Sequence, residues 1–466
     1  MLVVMKFGGT AVESGERIRL ISQLALNYQE KFGLDVILVI SAVKGITDEI
    51  ISVAESVRKG DKAAVDRFLD RLKHVHISLI DSSIFDDAKR QETKNNVSML
   101  VELVENVLHG MLPIREVTPK MLDYLLSFGE RLSTFIVSVT IRDMGGRTEF
   151  LVGNDVGIVT DSNFGEALPL MDTTKLKVSH KLKPLLAKKT IPVITGFIGA
   201  DQYGNITTIG RGGSDYSATI IAAGSRADEV WLWSDVDGLM TADPKIVSDA
   251  KVIREVSYAE ALEMALFGAK YMHPRALEPA IESNIPMRIR NFMKADDDGT
   301  LVVNNPSEDS HKIVKAISSI RHTALIDVSG VGMVGAPGTA GRIFDTLAKN
   351  KVNIMMISQS PSESSISMVV KKEALEKATS TLELSLLGRV IKKIDVKEDV
   401  AVIAVVGSGM RGIKGVAARV FGAVGSKNIN VIMITQGSSE LNLAFVVNDD
   451  DCVEVVKAIH GEFKLK

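Results

Sequence analysis

The last third of the sequence contains an internal repeat with an offset of about 77 residues. The run Val328–Gly335 is matched by Val405–Gly412, and both read as a strand, a glycine turn and the start of a helix. The same offset relates Asn353-Ile354 to Asn430-Val431, Ile357–Ser360 to Ile434–Gly437, and Ser362-Glu363 to Ser439-Glu440. A repeat restricts the fold strongly, because each copy must be one supersecondary unit that packs on its neighbour. The order of elements in each copy predicts a small ferredoxin-like βαββαβ module.

The second copy is too short to complete this pattern by itself. The first copy continues into a plausible fourth strand at Val390–Val396, whereas the second ends its last helix near His460. One hypothesis is that Ile313–Ile320, just before the repeats, supplies the missing strand. We therefore expect interlocking modules at 313–398 and 399–466, with 313–320 donated to the second.

The first 295 residues have a different pattern, in which short apolar runs alternate with longer helical stretches. This alternation predicts an α/β domain with a largely parallel sheet. Residues 48–140 read as mostly helical, and turn-forming acidic residues near position 295 mark the end of the domain at 1–295. The best strand candidates are Leu2–Phe7, Asp35–Ile40, Glu149–Val152, Ile191–Thr195 and Glu229–Ser234.

Charge and composition exclude several classes of protein. There are 55 Lys and Arg residues against 58 Asp and Glu, and this near-neutral balance predicts no nucleic-acid partner. The longest run without these charged residues, Val328–Gly341, is too short for a membrane span, so we expect no membrane partner. Cys452 is the only cysteine, which favours a reducing, cytoplasmic location. A strand pattern begins at once after Met1, so we expect no signal peptide.

Both repeat copies carry a literal G-x-G-x-x-G between a strand and a helix, which is the pattern of dinucleotide-binding folds. That fingerprint also needs an acidic residue at the end of the next strand, where this chain has Gln359 and Gln436. Tight strand-to-helix turns explain the glycines more simply. A third interpretation is that these helix N-termini bind the carboxylate of a small ligand between the modules.

A phosphate site must be built without a P-loop, because no G-x-x-x-x-G-K-[ST] motif is present. The run Lys6–Thr10 leaves the first strand through Gly8 and Gly9, which let the backbone approach an anion at a helix start. Lys6 adds a positive charge. Taken alone, the run also fits an ordinary turn, and either a Thr10–Glu13 capping box or Ser14 fits the start of the helix.

A second glycine loop, Gly210–Asp215, also leads from a strand into a helix. Ser214 and Asp215 suit helix capping, whereas Arg211 has no such role and its planar guanidinium suits a carboxylate or phosphate. The run Ser234–Gly238 follows another strand, at the edge where α/β folds place ligands, although its aspartates are turn residues about as often.

Other candidates are weaker on chemistry alone. Ser41 closes the second strand and leads to a loop with Thr47, and Glu130 stands beside a glycine, but each also fits a turn or an ion pair. His74 and His76 have no third ligand at a suitable spacing, so we predict no metal site made by the chain.

In combination, these motifs resemble those of the aspartate kinases in the amino acid kinase family, followed by two ACT regulatory modules. The resemblance covers essentially the whole chain. It implies an α/β fold, an amino acid kinase-like sandwich with a mainly parallel central sheet, plus two ferredoxin-like ACT modules. Its most specific parts, in the family's order, are Lys6–Val12, Ser41-Ala42, Phe128–Glu130, Gly210–Asp215, Ser234–Gly238 and Phe267–Lys270.

The resemblance implies ATP-dependent phosphorylation of the L-aspartate β-carboxylate to 4-phospho-L-aspartate, with Mg²⁺, as the first step of lysine, threonine and methionine biosynthesis. Arg211 would bind the α-carboxylate of aspartate, and Glu130 its ammonium. The implied catalytic residues are Lys6, Arg211 and Asp215. The implied aspartate-binding residues are Ser41, Thr47, Glu130, Arg211, Ser214 and Asp215. The implied nucleotide-binding residues are Lys6, Gly8, Gly9, Thr10, Ser234, Asp235, Gly238, Met240, Lys245 and Lys270.

This reaction needs positive charge more than it needs a base. A side-chain carboxylate with a reference pKa of about 3.9 is already ionised at neutral pH. It must approach a polyanionic triphosphate, so cationic side chains, helix N-termini and Mg²⁺ would act by positioning and neutralising charge. Ala11, Met240 and Lys245 depart from the usual residues of the family. Without an aromatic residue at position 240 the base has no stacking partner there, and Lys245 lacks the planar fork of arginine.

The ACT pair implies feedback by an end-product amino acid and assembly into a homodimer or homotetramer through these modules. The run Gln436–Glu440 favours threonine over lysine as effector. The implied regulatory residues are Gly338, Gly341, Asn353, Ile354 and Gln359 in the first module, and Asn430, Val431 and Gln436 in the second.

Three alternative functions compete with this one. A kinase of another acidic amino acid is disfavoured by Glu130, which suits a free ammonium, and by the ACT pair. An NAD(P)-dependent dehydrogenase would use the C-terminal glycine loops, and a non-catalytic amino-acid sensor would use only the modules. No residues remain after the second module to build a homoserine dehydrogenase, so we expect no such fusion.

Overall fold

A computed structural model describes residues 1–268, 272–307, 312–330, 333–388 and 391–465. The chain divides into two compact units. The first contains Met1–Leu239, Arg254–Tyr258 and Lys270–Asn305, and the second contains Met240–Ile253, Ala259–Ala269 and Pro306–Lys466.

The N-terminal part of the chain alternates strands and helices as its apolar pattern predicts. Four of the five predicted strands have the predicted bounds, and the fifth is displaced by one residue. The strands are β1 (Leu2–Phe7), β2 (Asp35–Ile40), β3 (Thr148–Leu151), β4 (Val159–Thr160), β5 (Ile191–Thr195), β6 (Ile198–Asp201), β7 (Ile206–Thr208), β8 (Glu229–Ser234), β9 (Glu255–Ser257), β10 (Met287–Asn291) and β11 (Thr300–Val303). The helices are α1 (Gly15–Glu30), α2 (Ile46–Lys59), α3 (Lys62–Ser83), α4 (Asp87–Met111), α5 (Pro119–Asp143), α6 (Gly153–Val156), α7 (Met171–Ala187), α8 (Gly213–Ser225), α9 (Tyr258–Leu266) and α10 (Leu277–Ser283).

Three of the helices predicted between residues 48 and 140 begin at a side chain that caps them. Asp61, Asp86 and Thr118 each accept a hydrogen bond from a backbone N–H in the first turn of α3, α4 and α5. Ser14, one of the two predicted starts of α1, is the N-cap of this helix, and its Oγ accepts a hydrogen bond from the N–H of Arg17. Glu13 instead forms an ion pair with the side chain of Arg17.

The central sheet of the first unit has the strand order β3-β5-β2-β1-β8-β10-β11-β9. Neighbouring strands are parallel except for β10 and β11. Val3, Met5 and Phe7 of β1 belong to one large apolar core with residues of α1 and α5. A second, three-stranded sheet, β4-β6-β7, precedes the loop from Gly210 to Asp215.

The two repeats form one six-stranded antiparallel sheet in the order β13-β14-β12-β15-β17-β16. Its strands are β12 (Ala316–Ser329), β13 (Met356–Gln359), β14 (Ser365–Lys371), β15 (Lys393–Val406), β16 (Met433–Thr435) and β17 (Asn442–Asn448). Its helices are α11 (Thr339–Lys349), α12 (Leu375–Leu386), α13 (Val416–Gly425) and α14 (Cys452–Glu462).

Two long strands run through both repeats. Ala316–Ile320 of β12 pairs with Val402–Val406 of β15, next to β17, while Leu325–Ser329 pairs with Lys393–Lys397. Positive φ angles at His322 and Asp399 lie where the pairing changes register. The strand just before the repeats therefore lies among the strands of the second copy.

The second unit also includes two segments from before residue 270. Ala242 and Val247 lie in the apolar core formed with α13, α14 and β17. Thr241 Oγ1 lies 3.0 Å from His460 Nε2 on α14. The sequence pattern did not indicate this packing, because residues 240–253 read as a continuation of the first domain.

The glycines of the second G-x-G-x-x-G run have a packing role. A Cβ on Gly407 would lie 2.4 Å from the carbonyl oxygen of Ile313, and one on Gly409 equally close to that of Lys312. The glycines therefore allow two backbone segments to approach each other, which is the simpler of the explanations considered above. The dehydrogenase alternative is not favoured.

Candidate active site

The carboxyl ends of four neighbouring strands bring the predicted motifs to one edge of the central sheet. Phe7 is in register with Ile40 on β2 and with Trp233 on β8. Gly8 and Ser41, which follow β1 and β2, therefore lie at the level of Ser234, the last residue of β8. Thr195 is in register with Ile40, so the loop that begins at Gly196 leaves β5 at this edge as well. Ligands of open α/β sheets bind at this edge.

Lys6 and Asp215 form the central ion pair of this site. Lys6 Nζ lies 2.5 Å from Asp215 Oδ1, and both side chains are largely buried, with 15% and 13% of their surface exposed. Lys6 comes from β1 and Asp215 from the first turn of α8. The pair therefore joins the two glycine loops that the sequence analysis singled out.

Glu130 lies within α5 and is almost completely buried, with 4% of its surface exposed. Its Oε2 atom has no hydrogen-bond partner among the described residues. Burial raises the pKa of the Glu130 carboxyl to about 8, although a hydrogen bond from the Ala42 backbone and the charge of Lys6 lower it. A buried acceptor without a partner is costly, so a donor from a ligand would stabilise it.

Close backbone contacts hold the loops after β1 and β2 against each other. A Cβ on Gly9 would lie 2.9 Å from the carbonyl oxygen of Ala42, and one on Gly129 would lie 2.9 Å from the Ala42 side chain. A Cβ on Gly8 would lie 3.5 Å from Lys6 Nζ. Ser133 on α5 donates a hydrogen bond of 2.7 Å to the carbonyl oxygen of Ser41. Because 2.9 Å is too short for a Cβ contact, glycine is required at positions 9 and 129, whereas the 3.5 Å at Gly8 is an ordinary contact.

Asp123 holds the strand that precedes Arg211. Its carboxylate accepts hydrogen bonds from Thr208 N–H and Oγ1 and from Gly165 N–H, at 2.7–2.9 Å. Burial raises the pKa of Asp123, while these hydrogen bonds act in the opposite direction. Thr208 ends β7 two residues before Gly210, so α5 positions both Glu130 and the Arg211 loop. The sequence analysis missed Asp123, which reads as an ordinary helical acid.

The Arg211 loop has the backbone that its glycines allow. Gly210 and Gly212 have φ angles of +79° and +69°, which only glycine adopts readily. A Cβ on Gly196 would lie 2.6 Å from Ser214 Oγ, so Ser214 packs tightly on the loop after β5. Arg211 itself is exposed.

Polar contacts hold the run Ser234–Gly238 at the end of β8. Asp237 accepts hydrogen bonds of 2.6 Å from Asn291 Nδ2 and from Lys294 Nζ, and these bonds keep the pKa of its carboxyl low. Ser234 Oγ lies 3.2 Å from Asp235 Oδ1. Gly238 has a φ angle of +141°. At this sheet edge Asp235 is exposed and Ser234 is half-buried.

Several predicted residues lie elsewhere or cannot be placed relative to this group. Thr10 is in a short 3₁₀ helix after Gly8, and Thr47 is in the first turn of α2. Met240 and Lys245 belong to the second compact unit, where Lys245 lines a cavity of about 430 Å³ with Lys457 and His460. Lys270 lies outside the described residues.

The first ACT copy contains a cavity of about 320 Å³ at the start of α11. Gly338 and Gln359, both predicted regulatory residues, line it together with Glu363. Glu363 Oε2 accepts a hydrogen bond from Gly335 N–H at 3.0 Å. In the second copy Glu440 makes the equivalent bond to Gly412. The other predicted regulatory residues, Gly341, Asn353, Ile354, Asn430, Val431 and Gln436, do not line the cavity.

Comparison with known proteins matches the whole chain. The model of the amino acid kinase family matches residues 1–291, and the model of the ACT domain matches residues 326–386 and 403–463. Lysine-sensitive aspartokinase 3 of Escherichia coli K12 is 30% identical, over 99% of this chain and 98% of its own length. The crystal structure of E. coli aspartokinase III in complex with aspartate and ADP has a TM-score of 0.84 at 28% identity and covers 99% of both chains.

The chain therefore belongs to the aspartokinases of the amino acid kinase family. The chloroplastic bifunctional aspartokinase/homoserine dehydrogenase of Daucus carota is 32% identical over the whole chain, which covers 51% of that protein. The chain thus spans about half the length of the first curated relatives it matches. Within the described ranges, no helix is long and apolar enough to cross a membrane.

Proposed function

We propose that this protein phosphorylates the β-carboxylate of L-aspartate with ATP and releases 4-phospho-L-aspartate. The observation that carries the proposal is the buried Oε2 atom of Glu130, which lacks a partner among the described residues and lies near the Lys6–Asp215 ion pair. A substrate ammonium at this position would supply both the missing donor and the countercharge. The complex of the E. coli enzyme with aspartate and ADP supports the choice of substrates.

Each charged side chain of the site binds a substrate group of opposite charge. Glu130 binds the ammonium and the exposed Arg211 guanidinium binds the α-carboxylate, so the β-carboxylate is left to approach the nucleotide. Lys6 neutralises charge where the carboxylate and the phosphate meet, and Asp215 holds Lys6 in place. No side chain needs to remove a proton, because the nucleophile is already ionised.

ATP and Mg²⁺ are part of the same proposal. The loop at Gly8 and Gly9 fits a phosphate, because a Cβ on Gly9 would clash with the Ala42 backbone and glycines let an anion approach the backbone N–H groups beside Lys6. Lys6, Gly8, Gly9, Thr10, Ser234, Asp235 and Gly238 are the nucleotide residues that we propose in the first unit. The nucleotide roles of Met240, Lys245 and Lys270 stay predictions from the sequence. Magnesium bound with a nucleotide takes most of its ligands from phosphates and water, which neutralises charge in transfer.

For regulation we propose lysine as the effector. The preference for threonine over lysine is not supported, because the E. coli relative is named lysine-sensitive. We propose that the cavity beside Gly338 and Gln359 binds the effector, with Gly341, Asn353, Ile354, Asn430, Val431 and Gln436 contributing in an assembled homodimer or homotetramer.

We also propose the domain division 1–295, 313–398 and 399–466, with 313–320 donated to the second module. The pairing of Ala316–Ile320 with Val402–Val406 supports the donation. A cytoplasmic location stays a prediction that rests on the use of a single cysteine.

The test is to trap the acyl phosphate as its hydroxamate when the protein is given Mg-ATP and L-aspartate. Lys6→Ala and Arg211→Ala should lower kcat/KM by roughly 10²–10³-fold, whereas the exposed Lys62→Ala and Arg67→Ala variants should not. N-acetyl-L-aspartate and L-glutamate should give little product. Absence of hydroxamate from folded parent protein would refute the function, and product with N-acetyl-L-aspartate would refute the role of Glu130.

A further inference from the structure

A short segment after residue 271 packs directly on the Arg211 loop. A Cβ on Gly212 would lie 2.1 Å from the Cβ of His273 and 2.5 Å from its Cγ, so the imidazole side chain contacts the glycine backbone. His273 caps a 3₁₀ turn, Pro274–Ala276, by accepting a hydrogen bond at Nδ1 from Arg275 N–H. The turn fixes the direction in which Arg275 leaves the backbone.

Arg275 extends toward the residue immediately before Arg211. Its Nη1 atom lies 3.5 Å from the position that a Cβ on Gly210 would occupy. The charges of Arg275 and Arg211 both act on His273, where burial is the main cause of a lowered pKa and Asp215 opposes it. The two guanidinium groups and the Asp215 carboxylate therefore share the surroundings of one imidazole ring.

Neither guanidinium has a partner in the part of the chain that the structure describes. No described carboxylate forms an ion pair with Arg275 or Arg211, and neither side chain donates a hydrogen bond to a described residue. Two cations that act on the same imidazole ring repel each other, so an anion that both guanidinium groups can reach would stabilise them. Lys6 differs, since it forms an ion pair with Asp215.

We propose that Arg275 is a second carboxylate-binding residue, which together with Arg211 grips the α-carboxylate of aspartate and so helps to determine the substrate. A carboxylate has about four lone-pair sites, enough for two planar guanidinium forks. His273 is a positioning residue, because it holds the Gly212 backbone and the turn that carries Arg275. This inference rests on the proposed aspartate kinase function.

The first test compares the steady-state kinetics of Arg275→Ala with those of the parent and of Arg67→Ala, an exposed arginine on α3. Loss of a charge-assisted fork should raise KM for aspartate roughly 10- to 100-fold and leave KM for ATP within about twofold. Arg275→Lys should recover only part of the loss, because lysine lacks the fork. Equal melting temperatures of parent and variants show that the fold is retained.

The second test uses L-isoasparagine, which keeps the ammonium and the β-carboxylate but replaces the α-carboxylate by an amide. Its inhibition constant against aspartate should be nearly the same for the parent and Arg275→Ala, whereas the affinity for aspartate itself should differ. A His273→Ala variant should show the same selective effect on aspartate in weaker form.

Three results would overturn the proposal that Arg275 binds the α-carboxylate. An unchanged KM for aspartate in Arg275→Ala overturns it, as does an effect confined to KM for ATP, which would assign Arg275 to the phosphates. An equal loss for aspartate and L-isoasparagine also overturns it, because the contact would then not involve the α-carboxylate. If the parent protein forms no acyl phosphate from aspartate, the proposed function fails first and independently of Arg275.

Discussion

Glu130 shows how one buried side chain can be matched to a charged ligand. Its carboxyl has a pKa of about 8 in the ligand-free protein because burial penalises the anion. At neutral pH the group is therefore mostly protonated. A bound ammonium favours the anion, so substrate binding and proton release are linked at this residue.

We predict that binding of L-aspartate at pH 7 releases close to one proton, and that its affinity increases as the pH rises toward 8. When the pH is below the pKa of Glu130 in the ligand-free protein, the carboxyl is mostly protonated and must lose its proton before it can pair with the ammonium. Titration calorimetry in two buffers of different ionisation enthalpy measures this release. Glu130→Gln should abolish the release and weaken binding. The same enthalpy in both buffers for the parent protein would contradict the prediction.

At Asp215 the predicted effect is on turnover. Asp215→Asn keeps the shape of the side chain but removes the charge that holds Lys6 Nζ at 2.5 Å. We expect kcat to fall roughly 10- to 100-fold, because an electrostatic contact to the transition state loses its position. Asp345→Asn, which alters an exposed pair with Lys349, is the matched control and should leave kcat unchanged. Similar kcat values for Asp215→Asn and Asp345→Asn would contradict the role of Asp215 in positioning Lys6.

The strand β12 and the helix α9 have long-range contacts that the local sequence pattern does not predict. The sequence predicts both halves of β12 as strands. In the structure they form one continuous strand with a bulge at His322, and this strand pairs with β15 in both repeats. Helix α9 contributes Glu260, whose carboxylate lies 2.8 Å from Lys315 Nζ and accepts from Ser408 N–H at 2.8 Å. Glu260 thus contacts residues 55 and 148 positions away in the sequence, a juxtaposition that no short-range period can indicate.

The Glu260–Lys315 pair should matter for stability much more than a surface pair does. The side chains are 0% and 2% exposed, so Glu260→Gln removes the countercharge from a buried ammonium. We expect a loss of about 3–5 kcal/mol in the free energy of unfolding, measured by urea denaturation. The exposed Asp345–Lys349 pair should contribute less than about 1 kcal/mol.

A double variant tests the cause of that loss. Glu260→Leu combined with Lys315→Met should recover much of it, since apolar residues of similar size avoid the desolvation of two charges. A double variant that is no more stable than Glu260→Gln would show that packing at α9, and not charge, is responsible.

For the whole molecule, regulation requires that an effector bind two states of the enzyme unequally. The described cavity in the first ACT copy includes Gln359, and the repeat places Gln436 at the same position of the second copy. This pair allows the two copies to be compared with a single type of substitution.

We predict that lysine inhibits the kinase and that Gln359→Ala raises the lysine concentration for half-inhibition roughly tenfold or more. The reason is that one lost polar contact to a bound ligand weakens it by about that factor. Gln436→Ala should have a smaller effect. Inhibition by threonine but not by lysine, or a larger effect of Gln436→Ala, would contradict the assignment of the cavity.

The sequence alone determined the classes of element and the bounds of four strands, and it predicted most of the residues that we propose for the site. Strand and helix periods are local, and the glycines, Lys6, Arg211 and Glu130 are typical of their family. It did not reveal Asp123, His273 or Arg275, because an acid in a helix and a basic turn have ordinary local explanations.

Only the tertiary structure decided which of these residues lie close together. It brought Lys6, Glu130 and Asp215 to one sheet edge, buried Glu130 deeply enough to raise its pKa, and packed residues 240–253 in the core of the second unit. Burial and through-space charge depend on what the chain places around a group, and that information is spread over hundreds of residues. Local sequence therefore specified the parts of this site, and long-range packing set their charges and positions.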